Sequence, residues 1–128
     1  MSVEVQDWWD RAVRALETAR MLTDEDADAA SSRAYYAAFY AVSALFANEK
    51  RSFRKHTELE AAVHRDLVKA GKWSVELGAA FSFLASLRYT GDYGGASHVV
   101  AEEAQEAFEK AKAILAAVQK SHPESFGN

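Results

Sequence analysis

"SRAYYAAFYAVSALF", residues 32–46, puts five aromatic and five alanine residues into fifteen positions. At 100° per residue Tyr35, Phe39, Val42 and Phe46 fall on one narrow stripe. Arg33, Tyr36 and Tyr40 lie on the neighbouring face, with Ala37, Ala44 and Ala47 beside them. Alanines let another backbone come close, and rings fill the space at that approach. The stretch therefore reads as a central helix buried on more than one side. Tyr36 and Tyr40 need polar partners if their phenols are buried, and Arg33 is on the same face.

Outward from this helix the chain keeps a helical pattern. Trp9, Ala12, Val13, Leu16 and Ala19 recur at helical spacing and predict a first helix from about Val3 to Met21. "TDEDAD", 23–28, is the turn before the central helix, and its acids suit the positive end of that helix's dipole. "NEKRSFRKH", 48–56, ends the central helix in a basic loop. Thr57 and Glu60 read as a capping box for a third helix, which carries Leu59, Ala62, Val63 and Leu67 and stops at Gly71. A fourth helix starts near Ser74 with Leu77, Phe81, Leu84 and Leu87 inward. It runs into "LRYTGDYGGASH", 87–98, the one long stretch with strong turn chemistry. A last helix starts between about Ser97 and Ala101, and residues 118–128 are expected to fray. The fold class is all-α: an up-and-down bundle of four to five helices in one domain, residues 1–128.

Composition agrees. The chain has 128 residues, one proline and six glycines, three of them in 91–95. It has no cysteine, which excludes disulfides and thiolate metal sites. Net charge is −4, so any nucleic-acid contact has to be local. The N-terminus lacks the pattern of a signal peptide, and 34–47 is too short and polar to span a bilayer. A cytoplasmic protein, not bound to a membrane, is expected.

Three groups of residues are candidates for chemistry. In the first, Arg88, Asp92, Tyr93 and His98 gather where a helix gives way to glycines. An arginine can hold a phosphate bidentately, and glycines let a ligand approach the backbone. The plainer reading is an Arg88–Asp92 ion pair closing the turn, with Tyr93 packed beneath. The second is the basic loop: Lys50, Arg51, Arg54 and Lys55, with His56 next, an RNA or phosphate contact or simply a solvated loop. The third is histidine. His56, His64, His98 and His122 form no metal-binding spacing, so no metal or other cofactor is expected. His64 reads as a helix-surface residue.

In order, R-A-Y-Y-A-x-F, then "KH" opening a helix, "VKAG", "LRYTGDY" and an acidic, alanine-rich final helix resemble the small prokaryotic HEPN-domain proteins over roughly residues 5–120. The resemblance implies a helical bundle that forms a homodimer. It also implies a place in toxin–antitoxin or defence systems, with RNA, a nucleotide, an antitoxin or a minimal nucleotidyltransferase as partner. Many members of that family are metal-independent endoribonucleases with an R-x-x-x-x-H type motif. There the arginine stabilises the scissile phosphate, the histidine transfers protons, and the RNA 2′-hydroxyl attacks. At the matching place this chain keeps Arg88 but has Tyr93 where the histidine belongs, preceded by Asp92. An unperturbed tyrosine is a poor base at neutral pH. Arg51 to His56 also spells R-x-x-x-x-H, but before the third helix; His56 itself matches the family's histidine at that helix start. The first expectation is thus a HEPN module with a degenerate ribonuclease motif, binding ligand through Arg88, Asp92, Tyr93, His56, Arg33 and Tyr36. The alternatives are an active ribonuclease toxin using Arg88 with His98 or His56, and a purely structural dimerisation module.

Overall fold

A computed structural model describes residues 2–127. The described residues form helices and connections, with no strand. Helix α1 (Val3–Leu22) is capped by Ser2, whose hydroxyl accepts from Val5 N–H at 3.1 Å. Its buried stripe is Val5, Trp9, Ala12, Ala15 and Ala19. Val13, expected on that stripe, is exposed instead, because α1 turns its alanine edge to its neighbour. Helix α2 (Ala27–Ala47) is the expected central element, packed against α1, α4 (Val75–Tyr93) and α5 (Ala101–Ser121). Ala34, Ala37, Ala38, Ala41 and Ala44 are all at 0% exposure. Their methyl faces are satisfied within one chain, so they supply no surface for a second copy.

Helix α3 (His56–Ala62) begins earlier than its sequence signal. The expected Thr57–Glu60 capping box does not form: Lys55 is the cap, and its backbone N–H donates to the Glu58 carboxylate at 3.3 Å. Glu60 instead accepts from Ser82 of α4. At Val63 the helix widens into a π-helical turn that runs to Val68, with Lys69 N–H reaching back to His64 C=O at 2.9 Å. Gly71, at φ +83°, then reverses the chain. Ser74 caps α4, accepting from Leu77 N–H at 3.1 Å.

Two expectations at the chain's later turns are corrected. Residues 88–93 belong to α4 and are not a turn. Gly91 is helical there because α4 crosses the start of α2 closely: a Cβ would stand 2.8 Å from Ser31 Oγ and 2.9 Å from Asp28 C=O. The end of the chain is held, not frayed. Helix α5 continues through 118–121, and Phe126 is buried against Trp9 at 5.1 Å between ring centroids. The Trp9 indole N–H donates to Gly127 C=O at 3.1 Å.

Candidate functional site around Arg88

Because 88–93 is helical, Arg88 and Asp92 are one turn apart on the same face of α4. Arg88 Nε lies 3.1 Å from Asp92 Oδ2. The oxygen is off the N–H direction, so Nε is buried without a hydrogen bond. Arg88 Nη2 donates to the Tyr36 hydroxyl at 2.9 Å. Nη1 makes no hydrogen bond to the described residues. The guanidinium carbon sits 5.4 Å from the Tyr35 and Tyr36 rings and 5.6 Å from the Tyr93 ring. Burial works against the charge on Arg88, but Tyr36, Asp92 and Tyr35 together outweigh it and raise the pKa above its ordinary value. The guanidinium is a fixed cation inside a cage of phenols.

The second helix supplies most of that cage. Tyr35 is buried, and burial raises its phenol well above its ordinary pKa despite the nearby Arg88 charge. Tyr36 is half-buried, and the Arg33 guanidinium stacks on it at 5.0 Å. Ser32 Oγ donates to Asp92 Oδ2 at 3.4 Å. The His56 ring packs 4.4 Å from Phe39, 5.7 Å from Tyr36 and 5.8 Å from Tyr35. Burial, and then the positive field of Arg88, lower the His56 pKa, so the ring is neutral at pH 7.

The structure thus brings Arg88, Asp92, Tyr36, Tyr93, Arg33 and His56 into one neighbourhood. Tyr93 is not packed beneath an Arg88–Asp92 pair. It is 63% exposed and leans on Tyr89, equally exposed, at 5.4 Å. His98 is engaged at the start of α2: its Nδ1 is 2.7 Å from Asp28 Oδ2, whose other oxygen accepts from Val99 N–H at 2.7 Å. The Val99 N–H first, and then His98, hold the Asp28 carboxyl below its ordinary pKa. His98 therefore fastens the 94–100 segment to the start of α2.

The basic loop splits in a similar way. Arg51 donates to Asp66 at 2.8 Å and stacks on Phe46 and Phe53 at 4.8 and 5.4 Å, tying the loop to the π-helical turn. Arg65 and Arg51 together hold Asp66 far below the usual carboxylate range. Lys50, Arg54 and Lys55 form no ion pair among the described residues and are exposed. Arg51 and His56 make no hydrogen bond to each other, so the R-x-x-x-x-H spelled by 51–56 is not assembled as a pair.

One polar cluster escaped the sequence reading. Ser82 Oγ donates to Glu60 Oε2 at 3.0 Å and lies 2.9 Å from His64 Nε2. A hydroxyl has one proton. With that proton on Glu60, His64 must donate its Nε2–H, so the histidine does not act as a base on the serine. The cluster bolts α3 and its π-helical extension to α4. The Glu60–His64 spacing of i, i+4 was its one legible signal. Among the described residues no three His, Asp or Glu side chains gather as a metal-binding group, and no helix is long and apolar enough to cross a membrane.

Known proteins are similar to this chain in sequence or in fold. A UPF0332 protein of Thermotoga maritima is 38% identical over 117 residues, covering 91% of this chain and 89% of its own. A protein of Methanocaldococcus jannaschii named "Putative toxin MJ0142" is 28% identical over 118 residues, covering 91% and 80%. The crystal structure of TT1696 from Thermus thermophilus superposes with a TM-score of 0.77 at 24% identity, over 93% of this chain and 98% of that one, a likeness of fold. The model of the HEPN domain matches residues 5–121, and the chain belongs to the HEPN-domain family.

Proposed function

We propose that this HEPN module works in a toxin–antitoxin or defence system and binds the phosphate of RNA or of a nucleotide at Arg88. The carrying observation is the guanidinium itself. Tyr36 and Asp92 occupy one side of it, three rings enclose it, and Nη1 remains free to donate. A fork fixed in this way loses little freedom when a phosphate arrives. Arg33, on the same face, adds charge, and the exposed Tyr89–Tyr93 pair offers rings on which bases stack. The M. jannaschii relative's name supports the toxin context. With Asp92 against the arginine and Tyr93 in the histidine's place, binding with a degenerate ribonuclease motif is the reading favoured.

The test is binding of a fluorescent single-stranded RNA, and of a mononucleotide, at fixed salt. Arg88→Ala is expected to weaken binding about ten- to a hundredfold, the loss of a charge-assisted bond of roughly 1.5–3 kcal/mol. Arg88→Lys recovers part of it, since an ammonium lacks the planar fork. Asp92→Asn keeps the shape, removes a like charge and tightens binding. Unchanged affinity in all three folded variants rejects the site.

A second reading rests on His56. A neutral imidazole held among the rings that also hold Arg88 has the protonation state of a general base. If the chain is an active metal-independent ribonuclease, RNA is cleaved in the presence of a chelator, and both Arg88→Ala and His56→Gln abolish cleavage. Binding without cleavage leaves the first reading.

A further inference from the structure

The opposite end of α4 borders a cleft of about 490 Å³, between the end of α2, the segment after the π-helical turn and the end of α5. Leu77, on its wall, is eleven residues from Arg88 along α4, about 16 Å. The cleft therefore lies apart from the phenol cage. Its volume lies within the range of clefts that hold small molecules, roughly 300–1,000 Å³.

The lining has an apolar floor, a pair of lysines and a neutral polar edge of Ser74, Ser121 and His122. Leu45, Leu67 and Trp73 are buried and make an apolar floor. Lys72 and Lys120 stand on the walls, and neither forms an ion pair among the described residues. Glu49 is the one acid on the lining. In a protein of net charge −4, two free ammonium groups against one carboxylate are a local reversal of sign. An apolar floor gives nothing to a bare inorganic ion, which loses hydration there without return. Lysines at the wall give nothing to a neutral hydrocarbon. A molecule that uses both has an apolar body and one negative group.

We propose that this cleft binds a small amphipathic anion: an aromatic ring system seated on Leu67 and Trp73, bearing one carboxylate or phosphate that meets Lys72 and Lys120. The proposal stands apart from the function assigned to Arg88, and either can fail without the other.

The probes are naphthalene-2-carboxylate, 2-naphthyl phosphate, the neutral naphthalene-2-carboxamide and inorganic phosphate. Each is titrated into the full chain while the Trp73 indole N–H resonance is followed, assigned with Trp73→Phe. The two naphthyl anions are expected to shift it saturably below about 1 mM, an affinity of roughly 4 kcal/mol, and their ratio tells which head group is preferred. The carboxamide binds about tenfold more weakly, and inorganic phosphate does not move the resonance. The double variant Lys72→Glu, Lys120→Glu loses the anions' advantage over the amide, and Arg88→Ala leaves all four titrations unchanged. The proposal is overturned if no probe gives a saturable shift, if the amide matches the anions, if inorganic phosphate saturates as well as they do, or if the double variant binds as the parent does.

Discussion

At His56 two effects on the proton act in the same direction. Burial among Phe39, Tyr36 and Tyr35 opposes a charged ring, and so does the Arg88 guanidinium. The folded pKa therefore lies below the ordinary value near 6.5 that the unfolded chain keeps. The unfolded state takes up the proton first as pH falls. The associated stability is fully present above about pH 6.5 and is lost as pH falls toward the folded pKa. Urea denaturation between pH 7.5 and 5 is expected to show a declining free energy of unfolding for the parent, and a flatter profile for His56→Phe. Parallel profiles would mean that the ring titrates alike in both states. The cause is also a link to function, because protonating His56 sets a second cation beside Arg88. Arg88 itself shows how much of the site was legible. Its residue type and its i, i+4 relation to Asp92 were plain in "LRYTGDY". Its contact with the Tyr36 hydroxyl joins α4 to α2 and could not be read from either segment alone.

Between helices, distance of approach decides more than local preference. Gly91 looks like a turn residue in sequence, among three glycines in five positions. It is helical, and its missing Cβ is what lets α4 reach Ser31 and the Asp28 carbonyl. Replacing it with alanine brings a helix-propensity gain of about 1 kcal/mol. Against that stands a methyl placed 2.9 Å from a backbone oxygen, in a crossing where Ser31 is fully buried. Overpacking of this kind costs about 1–3 kcal/mol, and displacing Asp28 also disturbs its bonds to Val99 and His98. Gly91→Ala is expected to lower the denaturation midpoint, despite the better helix former. A raised midpoint would show that the helices part without cost. The π-helical turn is the counterpart: "VHRDLV" carries no sign of it, and it holds His64, bonded to Ser82, and Asp66, bonded to Arg51. Hydrophobic spacing made the helices readable. Gly91 owes its place to the closeness of two helices, which spacing does not contain.

For the whole molecule, the end of the chain carries unexpected weight. "SHPESFGN" has the composition of a fraying tail, with proline, glycine and polar residues, and nothing in its spacing announces a core residue. Phe126 is nevertheless at 0% exposure, its ring against Trp9 and near His122 at 6.2 Å. Two backbone bonds shape the turn: Ser125 and Phe126 N–H each reach His122 C=O at 3.0 Å. The Trp9 indole then fixes Gly127. The tail thus closes α1 and α5 from outside the helical register. Deleting a buried phenylalanine ring costs about 3–5 kcal/mol in well-packed cores. Domains of this size have only about 5–15 kcal/mol in total. Phe126→Ala is therefore expected to lower the thermal midpoint by about ten degrees or more, given about 4–8 °C per kcal/mol for smaller domains and half that for larger ones. The companion variant Glu124→Ala, on an exposed side chain, should stay near the parent. RNA binding by Phe126→Ala, measured well below its midpoint, should match the parent, because none of the tail's hydrogen bonds or ring contacts among the described residues reaches the cage. A midpoint within a degree or two of the parent would mean that Phe126 lies in solvent and that the helices alone hold the bundle.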